Sequence, residues 1–324
     1  MAGLVTIFGG SGFVGRYITR RLAQQGWRIR VACRRPNEAL FVRPYGVVGQ
    51  VEPVFCNIRD DRLVRDVTRG ADVVVNCVGT FDAFGKNNFD AIQVEGATRI
   101  ARMAAECGVT RMVHVSAIGA DADGASAYAR SKAEGERGVT EHMPRAVILR
   151  PSVVFGPEDA FFNRFAGMAR SGPVVPIVGG SARFQPVYVD DVAAAAALAV
   201  NGKAEPGVYE LGGPDVRTFR ELIDEMMQVI RRRALVVDLP RPVALLMGKV
   251  FDVGDKLIGL RGPISADQVR QLGTDNVVAP DARGFDALGL SPIATEAVLP
   301  DYLWRFRPSG QYAAITDSAR NLRS

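Results

Sequence analysis

A tyrosine and a lysine four residues apart are the side chains of this sequence best suited to chemistry. Tyr128 and Lys132 stand within a helical pattern over residues 126–142. Residues at this spacing share one helix face, so the phenol and the ammonium lie side by side. A nearby positive charge lowers the pKa of a phenol, which can then exchange a proton with a substrate oxygen. The alternative is a surface pair of side chains with no chemical role.

Proton transfer to a carbonyl oxygen also needs a hydroxyl that polarises the carbonyl. The strand-like run over residues 111–116 ends in Ser116, and Ile118 stands where a further serine would be expected. Ser116 is thus a weak third candidate, two residues early, and His114 is interpreted as a strand histidine rather than a proton carrier. The incomplete set argues against efficient carbonyl reduction.

The elements that must position these side chains begin with an apolar strand over residues 4–8, a glycine turn and a helical pattern. Gly9 permits the tight turn, Gly12 lets a pyrophosphate approach the backbone, and Gly15 lets the helix pack on the strand. The helix also presents its positive end to the phosphates. A dinucleotide pyrophosphate is therefore predicted to lie along this turn and the start of the helix, which comprise Gly9, Gly10, Ser11, Gly12, Phe13, Val14 and Gly15.

The end of the second strand indicates which dinucleotide binds. A site selective for NAD places a carboxylate there, which accepts hydrogen bonds from the adenosine ribose. This sequence has Cys33, Arg34 and Arg35 instead. Guanidinium groups suit a 2′-phosphate, so the sequence favours NADPH, with Arg16 as a further candidate. The alternative is that Arg34 and Arg35 are solvated loop residues.

Two further strand ends are candidates for cofactor contacts. Asn57 and Ile58 follow the third strand, where an amide and an apolar side chain could meet the adenine. Val78 and Gly79 follow the fourth strand, where a glycine lets the backbone pass close to the adenosine ribose. Both pairs could equally be ordinary exits from a strand.

Strand-like runs alternate through the first half of the chain with helical patterns, such as those over residues 90–107 and 126–142. This pattern predicts an α/β fold, a Rossmann-type doubly wound parallel sheet, with an NADP(H)-binding domain over residues 1–150. After Pro151 helices and Gly/Pro-rich joints mix with short apolar runs over residues 174–178, 185–189, 207–211 and 235–239. We therefore expect a smaller mixed α/β C-terminal lobe over residues 151–324, partly interleaved with the last Rossmann strands.

The composition excludes several classes of protein. The 324 residues are 48% hydrophobic and 23% charged, with a formal net charge of +5, and their arginines are dispersed without a basic stretch interleaved with aromatics, which argues against nucleic acid binding. Four cysteines without C-x-x-C spacing indicate reduced thiols, with neither a metal site nor a disulfide framework. No apolar run is long enough to span a membrane, and the early first strand leaves no room for a targeting peptide.

These residues resemble the extended and atypical short-chain dehydrogenase/reductases over nearly the whole chain. Within that group the chain is similar to the nucleotide-binding accessory subunit of respiratory complex I, NADH:ubiquinone oxidoreductase. Three segments carry this similarity: Arg150-Pro151-Ser152-Val153-Val154-Phe155-Gly156-Pro157-Glu158-Asp159, Phe162-Asn163-Arg164-Phe165-Ala166 and Gln185-Pro186-Val187-Tyr188-Val189-Asp190-Asp191-Val192-Ala193. The most diagnostic stretch begins at Phe155 in the first segment and runs into the second.

The resemblance implies a non-catalytic subunit that holds a structural NADPH and stabilises the junction of the hydrophilic and membrane arms. It adds Pro151 and Val154 to the cofactor contacts, together with Tyr128 and Lys132 as vestiges of a catalytic pair. The implied partners are complex I subunits near the quinone-access region, with anionic lipid as a further candidate. The implied location is peripheral, on the cytoplasmic face of the bacterial inner membrane, or the matrix side in a mitochondrion. The alternative is a free-standing NADPH-dependent reductase or epimerase.

One segment outside these motifs is a candidate docking helix. Residues 242–260 place Leu246, Val250, Val253 and Leu257 on one stripe. Such a helix can lie at a membrane interface or under a partner. The alternative is that it packs on its own domain.

Overall fold

The structure, a computed structural model, describes residues 3–81, 85–258, 265–308 and 310–312, with the backbone alone for residues 251–258 and 311. The chain divides into two compact units. The first comprises residues 1–152, 189–212 and 278–291, and the second comprises residues 153–188, 213–277 and 292–324. Each unit is therefore assembled from three separate stretches of chain.

The strands in chain order are β1 (Leu4–Phe8), β2 (Arg28–Cys33), β3 (Val51–Phe55), β4 (Val73–Asn76), β5 (Arg111–Val115), β6 (Val147–Pro151), β7 (Val154–Phe155), β8 (Val174–Val178), β9 (Arg183–Phe184), β10 (Val187–Tyr188), β11 (Gly207–Leu211), β12 (Arg217–Thr218) and β13 (Leu235–Leu239). The α-helices are α1 (Phe13–Gln24), α2 (Asp61–Thr68), α3 (Glu95–Glu106), α4 (Ala127–His142), α5 (Phe162–Ser171), α6 (Val189–Val200), α7 (Phe219–Ile230), α8 (Arg241–Ile258), α9 (Ala266–Leu272) and α10 (Thr295–Leu303).

The first unit contains a seven-stranded parallel sheet in the order β11-β6-β5-β4-β1-β2-β3. The side chains of Val73, Val74 and Val75 in β4 are completely buried, as expected for a strand covered on both faces. Strand order reverses at β1, which lies between β2 and β4, and ligands of such sheets bind at the carboxyl ends beside this reversal. The predicted doubly wound α/β fold is confirmed.

One predicted helix of this unit is interrupted. Instead of a single helix over residues 90–107, a π-helical turn, Asp90–Val94, leads into α3. Such turns are rare and occur frequently at functional sites. Here the turn carries the buried side chain of Gln93.

The second unit is built from short strand pairs and helices around an aromatic core. Its pairs are β7 with β10, β8 with β13, and β9 with β12. The rings of Phe155, Phe162 and Phe219 are fully buried in this core, and Phe161 contacts several of its rings. The pairing Phe155–Phe162 is edge-to-face, one of the arrangements that aromatic rings prefer.

Helix α8 packs on its own unit through only part of its surface. Ala244 is buried against Val178 and Val269, whereas Leu246 and Val250 are 64% and 62% exposed. The predicted stripe therefore faces solvent at these two positions, and Val253, Leu257 and residue 260 lie outside the described side chains. Among the described helices, none is long and apolar enough to cross a membrane.

Candidate functional site

The glycine turn between β1 and α1 has the geometry that a pyrophosphate requires. Gly9 has a φ of +75°, which favours glycine, and a Cβ on Gly15 would overlap the carbonyl oxygen of Gly9. Helix α1 begins without a side-chain cap and without an acidic residue in its first turn. Its positive end is therefore left for an anionic ligand, and Gly10, Ser11, Gly12, Phe13 and Val14 lie around it.

Arg16 holds its guanidinium against this turn. Its Nε donates to the carbonyl of Gly12 and its Nη2 to the carbonyl of Ser11, both at 3.3 Å. The guanidinium carbon lies 4.7 Å from the ring centroid of Phe41. A fixed positive charge thus stands beside the phosphate-binding turn.

The end of β2 carries no carboxylate and lies beside the same turn. Burial raises the pKa of the Cys33 thiol, and the side chain of Ser11 and the backbone of Arg35 partly oppose this shift. Arg35 forms an exposed ion pair with Glu38 at 3.3 Å. Arg34 is exposed and forms no hydrogen bond or ion pair with the described residues. This edge of the site thus offers two guanidinium groups where an acidic residue would repel a 2′-phosphate.

The ends of β3 and β4 differ in how their side chains are used. Asn57 accepts a hydrogen bond from the backbone N–H of Arg59 at 3.2 Å, and Ile58 is buried. Asn76, the last residue of β4, accepts from the N–H of Val78 at 3.0 Å. Its amide therefore donates to Nδ1 of His114, 3.1 Å away.

His114 is a buried, neutral side chain. Burial and the charge of Lys132 lower the pKa of His114 to about 3. Its Nδ1 is occupied by Asn76, so His114 orients the end of β4 and is not placed to carry a proton at neutral pH. This agrees with its interpretation as a strand histidine.

Lys132 is buried in α4, facing the loop after β4. A Cβ on Gly79 would lie 3.7 Å from its Nζ. Burial lowers the pKa of Lys132 to about 8, although the charge of Glu136 opposes this shift. Glu136 is itself held by Arg150 of β6 through two hydrogen bonds of 2.9 and 2.7 Å. The ammonium of Lys132 can therefore donate hydrogen bonds to polar groups of a ligand, such as ribose hydroxyls.

Tyr128 lies on the same face of α4, but aromatic side chains enclose its ring. Phe81 stacks on it with 5.3 Å between centroids, and Phe89 contacts it edge-on at 5.9 Å. The Nζ of Lys132 is 5.8 Å from the ring centroid. Burial raises the pKa of Tyr128 above its ordinary value. This direction is opposite to the expected one, because loss of solvent outweighs the neighbouring charge.

Gln93 ties the loop after β4 to α4. Its Nε2 donates to the carbonyl of Thr80 at 2.6 Å, and its Oε1 accepts from the hydroxyl of Ser131 at 2.9 Å. Ser131 immediately precedes Lys132 in α4. One buried amide therefore fixes the two segments that carry Gly79 and Lys132 relative to each other.

Ser116 follows β5 directly, and its side chain is 4% exposed. Its backbone N–H donates to Leu149, but its hydroxyl has no hydrogen-bond partner among the described residues. A buried hydroxyl without a partner is costly unless a ligand supplies one. The backbone N–H of Ile118 donates to the carbonyl of Pro151, the last residue of β6.

These observations fit a nicotinamide dinucleotide. The uncapped α1 and its glycines suit the pyrophosphate, Arg34 and Arg35 suit a phosphorylated ribose, and Lys132 suits ribose hydroxyls. The predicted contact Val154 begins β7 in the second unit. Among the residues that the structure describes, no group of His, Cys, Asp or Glu side chains could hold a metal ion.

Several residues of the site could not be identified from sequence motifs. Gln93 and Phe81 act through contacts that their neighbours in sequence do not indicate, and the motif that begins with Arg150 does not indicate that this side chain holds Glu136. The proximity of Glu136 to Lys132 could have been predicted, because Glu136 stands four residues after Lys132 and so shares its helix face. The role of Cys33 could have been inferred from its position at the end of β2.

Comparison with known proteins gives the relationships of the chain. Residues 5–212 match the family described as NAD dependent epimerase/dehydratase family. The chain is 34% identical to the mitochondrial NADH dehydrogenase [ubiquinone] 1 alpha subcomplex subunit 9 of Arabidopsis thaliana, over 99% of this chain and 82% of that protein. It is 31% identical to ceramide reductase of Caulobacter vibrioides, over 83% of this chain and 84% of that protein.

A solved structure with the same fold is the NADPH-dependent quinone oxidoreductase QOR2 of Escherichia coli, complexed with NADPH. The two superpose with a TM-score of 0.69 at 18% identity, covering 92% of this chain and 98% of that one. The fold is thus that of NAD(P)-binding proteins. The chain belongs to the NAD dependent epimerase/dehydratase family, as a homologue of subunit 9 of the complex I alpha subcomplex.

Proposed function

We propose that this protein is a non-catalytic accessory subunit of respiratory complex I that holds a structural NADPH. It is bacterial, lies peripherally on the cytoplasmic face of the inner membrane and stabilises the junction of the two arms near the quinone site. The similarity to subunit 9 of the Arabidopsis alpha subcomplex, over almost the whole chain, supports this assembly. If the protein is instead mitochondrial, the corresponding location is the matrix side of the inner membrane.

The proposal that the protein is non-catalytic rests on the surroundings of Tyr128. A general acid or base works best when its pKa lies near the operating pH and when it is within hydrogen-bond reach of the substrate. Burial raises the pKa of Tyr128, and Phe81 covers its ring. The pair with Lys132 therefore serves binding rather than turnover.

The choice of NADPH rests on the end of β2. Arg34 and Arg35 can each donate to a phosphate dianion, whereas the NAD-selective carboxylate is replaced by Cys33. A ligand bound only by the folded protein stabilises it, by about 4 kcal/mol at a concentration of 1,000 times its Kd. Retained NADPH would thus stabilise the first unit without any reaction.

Purification from native membranes tests this function. We expect the protein to migrate with NADH:quinone oxidoreductase activity and to release NADPH on denaturation, identified by mass spectrometry. Tyr128→Phe should leave assembly and quinone reduction near normal. A soluble protein that oxidises added NADPH with a carbonyl compound, and contains no complex I subunits, would contradict the proposal.

A second candidate is a free-standing NADPH-dependent reductase or epimerase. The unpartnered hydroxyl of Ser116 favours it, because a substrate oxygen could accept its hydrogen bond. The similarity to ceramide reductase points to a lipid carbonyl as substrate. NADPH would supply a hydride, and Tyr128 would supply the proton. In that case Tyr128→Phe abolishes turnover while NADPH binding persists.

A further inference from the structure

Four arginines in the second unit form a cluster in which an aromatic ring and backbone carbonyls, rather than carboxylates, hold the guanidinium groups. The guanidinium carbons of Arg170 and Arg305 lie 5.3 and 5.4 Å from the ring centroid of the buried Phe306. The Nε of Arg232 donates to the carbonyl of Phe306 at 2.6 Å. Arg307 donates to the carbonyl of Val229 in α7 at 2.8 Å. Four guanidinium groups therefore converge on one ring and one helix end.

The positive charge of this cluster is not neutralised within the described residues. Arg170, Arg232, Arg305 and Arg307 form no ion pair with a carboxylate there. The C-terminal end of α7 supplies the equivalent of only about half a negative charge. Among the residues that the structure describes, Arg232 and Arg307 donate hydrogen bonds through Nε alone, which leaves their Nη groups as donors within that part of the chain.

Exposed apolar side chains lie close to the cluster along the chain, and the N–H of Leu235 donates to the carbonyl of Pro173, three residues after Arg170. Val174 and Leu235, which are 47% and 66% exposed, are register partners at the beginnings of β8 and β13. Val174 follows Arg170 by four residues, and Leu235 follows the exposed Arg233 by two. Trp304, beside Arg305 in the chain, is 38% exposed. Arginine, aliphatic side chains and tryptophan are the combination that suits an anionic membrane surface.

We propose that this surface, Arg170, Arg232, Arg233, Arg305 and Arg307 with Val174, Leu235 and Trp304, binds the phosphate-bearing surface of an anionic phospholipid bilayer. The proposal rests on the proposed peripheral location and specifies how the chain contacts the membrane. The guanidinium groups donate hydrogen bonds to the lipid phosphates, and the apolar side chains insert into the headgroup region. A soluble phosphate would use the guanidinium groups but gain nothing from Val174 or Leu235.

Vesicle flotation of the purified full-length protein tests this surface. We expect binding to phosphatidylcholine vesicles in which a third of the lipid is replaced by phosphatidylglycerol, and little binding to phosphatidylcholine alone. Arg170→Gln with Arg233→Gln should weaken partitioning roughly 10- to 30-fold, since each arginine near such a surface contributes about fivefold. Leu235→Ser should weaken it at unchanged charge.

Arg69→Gln with Arg137→Gln is the matched control, because both residues are exposed in the first unit and the net charge falls equally. This control should retain binding. Equal loss in the control, equal binding to neutral vesicles, or displacement by millimolar inorganic phosphate would each overturn the proposal. Migration with complex I is measured separately, so failure of this surface is distinguishable from failure of the proposed function.

Discussion

The ring of Phe81 lies parallel to the ring of Tyr128, with 13° between their planes and 5.3 Å between their centroids. Phe81 is itself 67% exposed, so it forms a thin cover rather than part of the core. A stacked aromatic pair contributes about 0.5–1.5 kcal/mol beyond area burial. This contact is strong enough to keep the phenol covered and weak enough for one substitution to uncover it.

Phe81→Ala should therefore bring the pKa of Tyr128 down towards its ordinary value of 10.0, because water reaches the phenol. Spectrophotometric titration of tyrosinate checks this, with Phe81→Ala/Tyr128→Phe subtracted to isolate the one phenol. Phe81→Leu, which retains an apolar cover, is the control and should shift the titration less. Identical titrations of the parent and Phe81→Ala would show that Phe81 does not shield Tyr128.

Arg34→Ala with Arg35→Ala should weaken NADPH retention by about 100-fold or more, since hydrogen bonds to charged groups contribute about 1.5–3 kcal/mol each and two are removed. Binding of NADH should change much less, because it lacks the 2′-phosphate. Calorimetric titration of both nucleotides measures the ratio. Unchanged NADPH content in the purified double variant would refute the phosphate contact.

Cys33→Asp gives the opposite test at the same edge of the site. A carboxylate beside Ser11 would accept hydrogen bonds from a ribose and repel a 2′-phosphate. The ratio of NADH to NADPH affinity should rise in the same titration. A variant that keeps its preference for NADPH would place the phosphate elsewhere.

Lys132→Met should stabilise the nucleotide-free protein at pH 7. The pKa of Lys132 is about 8 in the folded protein, against an ordinary value of 10.5. The unfolded chain therefore binds the proton more tightly, so burial destabilises the fold below pH 8, and this cost disappears as pH rises to about 10.5. We expect a gain of about 3 kcal/mol at pH 7 that vanishes above pH 10.5.

Urea unfolding of parent and variant across this pH range measures the effect. With saturating NADPH the sign should reverse, because only the parent offers the ammonium to the nucleotide. A loss of stability on Lys132→Met in the nucleotide-free protein at pH 7 would show that Lys132 has a stabilising partner.

Tyr302→Phe should destabilise the second unit by about 1.5–3 kcal/mol. The Tyr302 hydroxyl donates to the buried carboxylate of Asp159 at 2.6 Å. Tyr209→Phe is the matched control, because that hydroxyl donates to the neutral carbonyl of Glu205 at 2.9 Å and should cost about 0.5–1.5 kcal/mol. Equal losses of unfolding free energy would indicate that the charge of Asp159 does not strengthen its hydrogen bond.

Local patterns were sufficient for the parts of the fold that depend on neighbours in sequence. The predicted runs over residues 174–178, 207–211 and 235–239 coincide with β8, β11 and β13. The glycine turn and the pair Tyr128 and Lys132 could likewise be located, because their spacing alone fixes the shared face or the tight turn.

Contacts between distant segments explain what the sequence did not predict. Asp159 and Tyr302 are 143 residues apart, and only the folded unit shows that the carboxylate of Asp159 accepts a hydrogen bond from the hydroxyl of this buried tyrosine. The pKa of Tyr128 shifts upward rather than downward because its ring is buried, and Phe81, which stacks on that ring, comes from another loop. Helix α5 was missed because its phenylalanines were interpreted only as a motif, although they form the core of the second unit.

The interleaving of the chain has a consequence for biosynthesis. Strand β11 closes one edge of the parallel sheet, and the N–H of its Glu210 donates to Arg283 in the stretch 278–291. The first unit therefore cannot be completed on the ribosome before the stretch 278–291 has emerged. Until β11 has been made, the partly made chain presents the open edge of β6 to chaperones.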